Sequence, residues 1–166
     1  MTAVVASGRE WYLSDTAATR AAGHAIGLGL LQLKTTAPLI ITLHGELGAG
    51  KTTLVGGLLN SLGQQGPVRS PTYTLIEPYE LSGRQFYHLD LYRLTDPSQL
   101  EELGVRDLLQ PAAVLLVEWP EQAGSIFSNA DLQVHLAYPS QGSNGRQLRL
   151  QARDESLQQL IHSLDF

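Results

Sequence analysis

Cysteine is missing from all 166 residues. That excludes disulfides, thiolate zinc sites, iron–sulfur ligation and a cysteine nucleophile, and it fits a reducing compartment. Charge is also scarce: Asp, Glu, Lys and Arg make up 16% of the chain, against a usual ~25%. The 11 Lys and Arg are spread over the whole length and are outnumbered by 16 Asp and Glu, for a formal net charge of -5. A nucleic-acid footprint needs clustered cations, so independent DNA or RNA binding is not expected. Long apolar runs are absent too. Runs such as Leu39–Ile41 and Ala112–Val117 fall far short of the roughly 18 residues that span a bilayer. Met1–Glu10 holds one Arg and no apolar h-region, so no signal peptide is read there. The expected setting is the cytoplasm, with no membrane and no DNA partner.

What is present is apolar matter. The hydrophobic share is 43% over a length of about one domain, enough for a real core. Ser14-Asp15 offers a helix N-cap, and Ala22, Ile26, Leu30 and Leu33 recur at helical spacing, predicting a helix over 16–34. Gly23, Gly27 and Gly29 lower its propensity. Leu39–Leu43 reads as a buried strand, 51–62 as a helix and Gly63 as its stop. Thr74–Glu80 and Gln85–Asp90 flank a hairpin turn at Leu81-Ser82-Gly83-Arg84, with Pro78 placing the first strand at an edge or a bulge. Asp96-Pro97 opens a short helix, with Pro at its first position, that runs to about Leu103 and stops at Gly104. Ala113–Val117 is a second buried strand, Leu132–Ala137 and Gln147–Ala152 are two late strands, and Glu155–Leu164 is a terminal helix. This order predicts an α/β domain with a partly parallel sheet.

Gly45-Glu46-Leu47-Gly48-Ala49-Gly50-Lys51-Thr52 matches G-x-x-x-x-G-K-[ST] in full, with an apolar strand entering and a helix leaving. Glycines let such a loop turn successive backbone N–H groups towards phosphate oxygens, and the helix N-terminus adds partial positive charge. Lys51 supplies a mobile cation for the β/γ-phosphates, and Thr52 a hydroxyl for Mg²⁺. Glu46 is expected to point away from the phosphates.

A triphosphatase needs a second Mg²⁺ anchor and a group that orients water. Glu118 follows directly on a buried strand, where a Walker-B type acid sits; a solvated strand-end Glu is the bland alternative. Asp90 ends another strand. It reads either as holder of a metal-bound water or general base, or as a turn cap. Ser70-Pro71-Thr72-Tyr73 lies where a γ-phosphate-sensing switch would be, although these are ordinary turn residues. Alternation puts His88 and Asp90 on one strand face, within reach of a hydrogen bond, but a satisfied structural histidine is the favoured reading of His88. Trp119 reads as core or as a site wall.

Taken together, Gly45–Thr53, Ser70–Thr74, His88-Leu89-Asp90-Leu91-Tyr92-Arg93 and Glu118-Trp119-Pro120-Glu121 resemble, in order and spacing, the bacterial TsaE (YjeE) family. The resemblance runs from about Asp15 to Arg149. It implies an Mg²⁺-dependent ATPase with weak intrinsic activity, made of a single P-loop ATPase domain over 1–166. The implied fold is P-loop NTPase-like, a mainly parallel sheet with flanking antiparallel strands and helices. The implied role is in forming N6-threonylcarbamoyladenosine at position 37 of tRNA, with the protein partners TsaB and TsaD and with tRNA met only indirectly. In that family a TsaC-type enzyme supplies threonylcarbamoyl-adenylate, TsaD performs the transfer and ATP hydrolysis supports turnover of the complex. By position, Leu47, Gly48, Ala49, Gly50, Lys51, Thr52 and Thr53 would cradle the phosphates of ATP. Thr52 and Glu118 would hold Mg²⁺. Lys51, Asp90 and Glu118 would serve hydrolysis, and Ser70–Thr72 would be the switch. Thr19 and Arg146 would lie near the base. Tyr73 stands where many members have Phe.

Two other functions compete. A P-loop small-molecule kinase would carry an arginine-rich lid, and the 96–110 stretch has only Arg106. A GTP switch would carry an Asn-Lys-x-Asp type motif, and none is present.

Overall fold

The computed structural model describes residues 8–140 and 142–166. Most of the Met1–Glu10 stretch, and Gln141 within the 140–145 turn, lie outside the described residues.

Seven strands form one sheet in the order β1-β7-β6-β2-β5-β4-β3. The strands are β1 (Gly8–Leu13), β2 (Leu39–His44), β3 (Ile76–Leu81), β4 (Arg84–Asp90), β5 (Val114–Glu118), β6 (Leu132–Ala137) and β7 (Arg146–Ala152). The central pairs β6–β2, β2–β5 and β5–β4 are parallel. The outer pairs β6–β7, β7–β1 and β4–β3 are antiparallel. The helices are α1 (Thr16–Gln32), α2 (Lys51–Ser61), α3 (Ser98–Glu102) and α4 (Glu155–Ser163), with 3₁₀ turns at Val105–Leu108 and Pro120–Ala123.

The unbroken apolar run of β5 follows from its position. Val114 and Leu116 belong to the apolar core under α1, α2 and α4 on one face. Leu115 and Val117 pack with Leu89, Leu91, Leu100 and Phe127 on the other. A parallel strand covered on both sides has no polar face to display.

The helical glycines have a tertiary purpose. A Cβ on Gly23 would run into the Leu54 carbonyl, and one on Gly57 into the Arg20 carbonyl. Close approach of α1 and α2 therefore requires bare backbone at both crossings, which outweighs the propensity that glycine gives up. Asp15 caps α1 by accepting from the Ala18 N–H at 2.8 Å.

The hairpin turns through Ser82 (φ 51) and Gly83 (φ 73), the left-handed pair that a two-residue turn needs. Pro78 sits on β3, the sheet edge, where its missing N–H costs no ladder bond. Two expectations shift. Pro97 is the residue before α3, whose start is marked instead by the Asp96 carboxylate accepting from the Ser98 N–H at 2.9 Å. And β1 had no counterpart in the sequence reading: a charged pair, Arg9-Glu10, precedes an aromatic pair, Trp11-Tyr12, and the strand is held by β7 in the register Gly8↔Gln151 to Leu13↔Arg146.

Candidate functional site

The C-terminal ends of β2, β5 and β4 converge on a cleft of about 370 Å³, lined by Lys51, Thr52, Asp90, Glu118 and Trp119 among others. This is where open α/β sheets receive ligands. A hollow of about 440 Å³ lies near the opposite end of β6, between Ser128 and Arg153. Arg153 is the one charged side chain in its lining, so it assembles no comparable chemistry.

The loop between β2 and α2 is shaped by its glycines. Gly48 (φ 78) and Gly50 (φ 105) occupy the left-handed region, which L side chains rarely adopt. The first N–H groups of a helix have no intrahelical partner, and no side chain caps α2. The loop therefore presents uncapped donors at the positive end of a helix dipole, a fit for phosphoryl oxygens. Its carbonyls are held from outside. Arg146 donates to the Ala49 carbonyl at 3.0 Å and the Gly48 carbonyl at 3.1 Å, and the Tyr138 hydroxyl donates to the Leu47 carbonyl at 3.2 Å. The Arg146 guanidinium also lies 4.3 Å from the Tyr138 ring centroid. The sequence reading missed Tyr138, since nothing local links it to a loop 91 residues earlier.

Lys51 is 5% exposed. Its ammonium donates to the Gly45 carbonyl at 2.6 Å and the Glu46 carbonyl at 3.0 Å, and lies 4.0 Å from the Trp119 ring centroid. Burial pulls it below its ordinary value, while the negative charges of Glu118, Glu121 and Asp90 act against that fall. The Glu46 side chain faces solvent, as expected. Trp119, at φ 58, forms a wall of the cleft and packs against Tyr92.

Glu118 is 2% exposed, so the solvated strand-end alternative fails. The Thr52 hydroxyl donates to its carboxylate at 2.8 Å and 3.1 Å. His88 reaches the same carboxylate, with Nε2 2.8 Å from Oε1. The pairing of His88 with Asp90 that strand alternation allows is not the one formed. The two do share a strand face, but Asp90 is engaged by the Ser70 and Thr72 hydroxyls and by the Tyr92 N–H at 3.0 Å. Asp90 is thus a turn cap and a cleft residue at once. Ser70 and Thr72 line the cleft together with Arg93, whose guanidinium lies 4.5 Å from the Tyr73 ring centroid.

Thr19 and Arg146 come together around a smaller cavity of about 70 Å³ beside Gly48–Gly50, joined by Asp15 and Asn144. The Thr19 hydroxyl donates to the Asp15 carbonyl at 3.1 Å. Among the described residues no three His, Asp or Glu side chains gather into a metal cage. A hydroxyl and one carboxylate form a hard oxygen pair of the kind Mg²⁺ takes alongside phosphates and water.

The model of the family described as Threonylcarbamoyl adenosine biosynthesis protein TsaE matches residues 13–148. The tRNA threonylcarbamoyladenosine biosynthesis protein TsaE of Haemophilus influenzae is 46% identical over 115 residues, covering 69% of this chain and 73% of that protein. Its namesake from Synechocystis is 41% identical over 119 residues, covering 68% and 71%. The crystal structure of YdiB from Bacillus subtilis superposes with a TM-score of 0.70 over 96% of this chain and 95% of that one, at 24% identity, which supports the P-loop NTPase-like fold. With a family match across most of its length and a sheet of the corresponding fold, the chain belongs to the TsaE family.

Proposed function

We propose that this protein is a cytoplasmic, Mg²⁺-dependent ATPase with weak intrinsic turnover, its 166 residues acting as one P-loop domain. In this reading it supports turnover of a TsaB–TsaD complex that forms N6-threonylcarbamoyladenosine at position 37 of tRNA. The observation that carries the proposal is the Thr52–Glu118 contact, which joins the loop helix to the end of β5. Those are the two side chains a P-loop triphosphatase needs at its metal.

Backbone N–H groups of residues 48–53 bind the phosphates of ATP. Lys51 exchanges two carbonyl acceptors for phosphoryl oxygens, which are stronger partners. Thr52 and Glu118 hold Mg²⁺, which when bound neutralises charge on the β- and γ-phosphoryl groups. Asp90 orients the attacking water or takes its proton. Ser70 and Thr72, tied to Asp90 by their hydroxyls, serve as the switch that senses the γ-phosphate. Thr19 and Arg146 border the end of the loop where the base would lie. With 11 dispersed cations, contact with tRNA goes through the partners.

The kinase alternative gains nothing from the fold. Arg106, the single arginine of the 96–110 stretch, is bound to Glu101 at 2.8 Å. The test is ATP hydrolysis with Mg²⁺ or with a chelator, alone and with TsaB–TsaD, plus a pull-down with that pair with and without ATP. Slow turnover alone, with acceleration or ATP-dependent capture by the pair, supports the reading. Rapid phosphorylation of a metabolite without any TsaD effect overturns it, as does tight GTP binding with ATP excluded.

A further inference from the structure

We infer that His88 is a positioning residue that sets the Glu118 carboxylate in the orientation needed to hold Mg²⁺. The inference rests on the ATPase reading of the cleft, and it concerns how the chain builds the anchor rather than which residue is the anchor.

The strand register puts His88 in place. On the parallel β4–β5 pair, His88 stands opposite Leu116 and Asp90 opposite Glu118. His88 and Glu118 therefore lie on one face, a pleat apart, and the imidazole reaches up the sheet to the carboxylate. Nε2 lies 2.8 Å from Glu118 Oε1, and both side chains are essentially removed from solvent, at 0% and 3% exposure. The Thr52 hydroxyl meets the same carboxylate from the α2 side. Two donors on different elements thus fix one carboxylate.

The other ring nitrogen explains why the residue is a histidine. His88 Nδ1 is buried and has no hydrogen-bond partner among the described residues. A proton there would be an unsatisfied buried donor, so the proton belongs on Nε2, aimed at Glu118. An unpartnered buried nitrogen is also a cost that an apolar side chain of similar size would avoid. Packing alone gives no reason to keep it. Orienting a carboxylate does, because partners behind a metal ligand set its rotamer and its strength as a ligand. Asp90, the next residue along that face, is occupied by Ser70, Thr72 and the Tyr92 N–H, which leaves Glu118 as the partner of His88.

The test compares His88→Leu, His88→Gln and His88→Asn by the Mg²⁺ concentration that gives half-maximal tightening of ADP binding. A glutamine amide nitrogen lies near the position of Nε2, whereas that of asparagine lies nearer Nδ1. The expected result is a rise of about 10–100-fold in that concentration for the leucine and asparagine variants. The glutamine variant stays close to wild type, and ADP affinity without Mg²⁺ is the same in all four proteins. Long-range ¹H–¹⁵N correlation of histidine-labelled wild type gives a second readout independent of any ligand, with the proton expected on Nε2. Equal Mg²⁺ response in the leucine variant overturns the inference. So does equal damage in the glutamine and leucine variants with a matching loss of thermal stability, or a proton on Nδ1. Should the leucine variant fail to fold, the glutamine–asparagine contrast and the spectrum decide. A wild type whose nucleotide binding ignores Mg²⁺ overturns instead the metal role of Glu118, and with it the ATPase reading.

Discussion

Asp90 and Glu118 are in-register neighbours on the parallel strands β4 and β5, yet no partner serves both carboxylates. Glu118 is held by Thr52 and His88, from α2 and from within the sheet. Asp90 is held by Ser70, Thr72 and the Tyr92 backbone, all from the loops at the rim. One acid is tied to the sheet and the loop helix, the other to loop segments at the rim.

That division predicts different phenotypes. Glu118→Ala abolishes Mg²⁺-dependent hydrolysis. It also strands the buried His88 side chain, at a cost of about 1–3 kcal/mol. Asp90→Ala leaves nucleotide binding intact and lowers turnover by about 10²–10⁴-fold. Single-turnover hydrolysis and ADP titration of both variants separate the two. Equal loss of binding and hydrolysis in Asp90→Ala would make it a structural residue of the rim.

Lys51→Ala weakens nucleotide binding. A charged hydrogen-bond partner contributes about 1.5–3 kcal/mol, equivalent to about 10–100-fold in affinity. The fold should survive, because the Lys51 ammonium bonds only the Gly45 and Glu46 carbonyls and a ring face. Calorimetric titration with ADP checks the first claim and thermal unfolding the second. Unchanged affinity would remove the phosphate role of the loop.

Two adjacent glycines of α2 are expected to behave in opposite ways. A Cβ on Gly57 meets the Arg20 carbonyl, so Gly57→Ala forces α1 and α2 apart and costs about 1–3 kcal/mol. A Cβ on Gly56 meets only side-chain atoms at 3.7 Å. Gly56→Ala should therefore be neutral or stabilise by up to about 1 kcal/mol through helix propensity. Thermal melts of the two variants give the comparison directly.

His44 and His135 stack with ring centroids 4.5 Å apart on neighbouring strands. Burial is the leading cause that lowers both below their ordinary value of 6.5; the Glu121 carboxylate partly opposes it at His44, while Lys51 beside His44, and His44 and Arg149 beside His135, add to it. The unfolded chain then binds protons that the folded chain resists. Stability from this pair is present above pH 6.5 and is lost as pH falls below 6.5 through the lowered folded values. Melting temperature should drop on acidification across that window, and His135→Gln should flatten the slope. An unchanged slope would mean that other groups dominate acid sensitivity.

Much of the frame was readable locally. The Gly45–Thr52 pattern, the apolar runs of β2 and β5 and the Ser82-Gly83 turn each encode their geometry within a few residues, through backbone freedom or burial on both faces. β1 was not readable. Its charged and aromatic residues satisfy no simple alternation, and its reason to be extended is β7, which pairs Gly8 with Gln151. The purpose of the helical glycines was hidden in the same way, since propensity counts against Gly23 and only the Leu54 carbonyl of another helix explains it.

The site divides along the same line. Residue types and spacing alone pointed to the glycine loop, Lys51, Thr52, Asp90 and Glu118, because each stands at the end of an element that a few neighbouring residues specify. Which side chain holds which was decided by tertiary structure: Glu118 by His88 rather than Asp90 by His88, and the loop carbonyls by Arg146 and Tyr138. Strand alternation determines only the face on which a side chain emerges. The partner it meets depends on the register between strands and on loops that close from tens of residues away, and no local pattern in the chain carries that information.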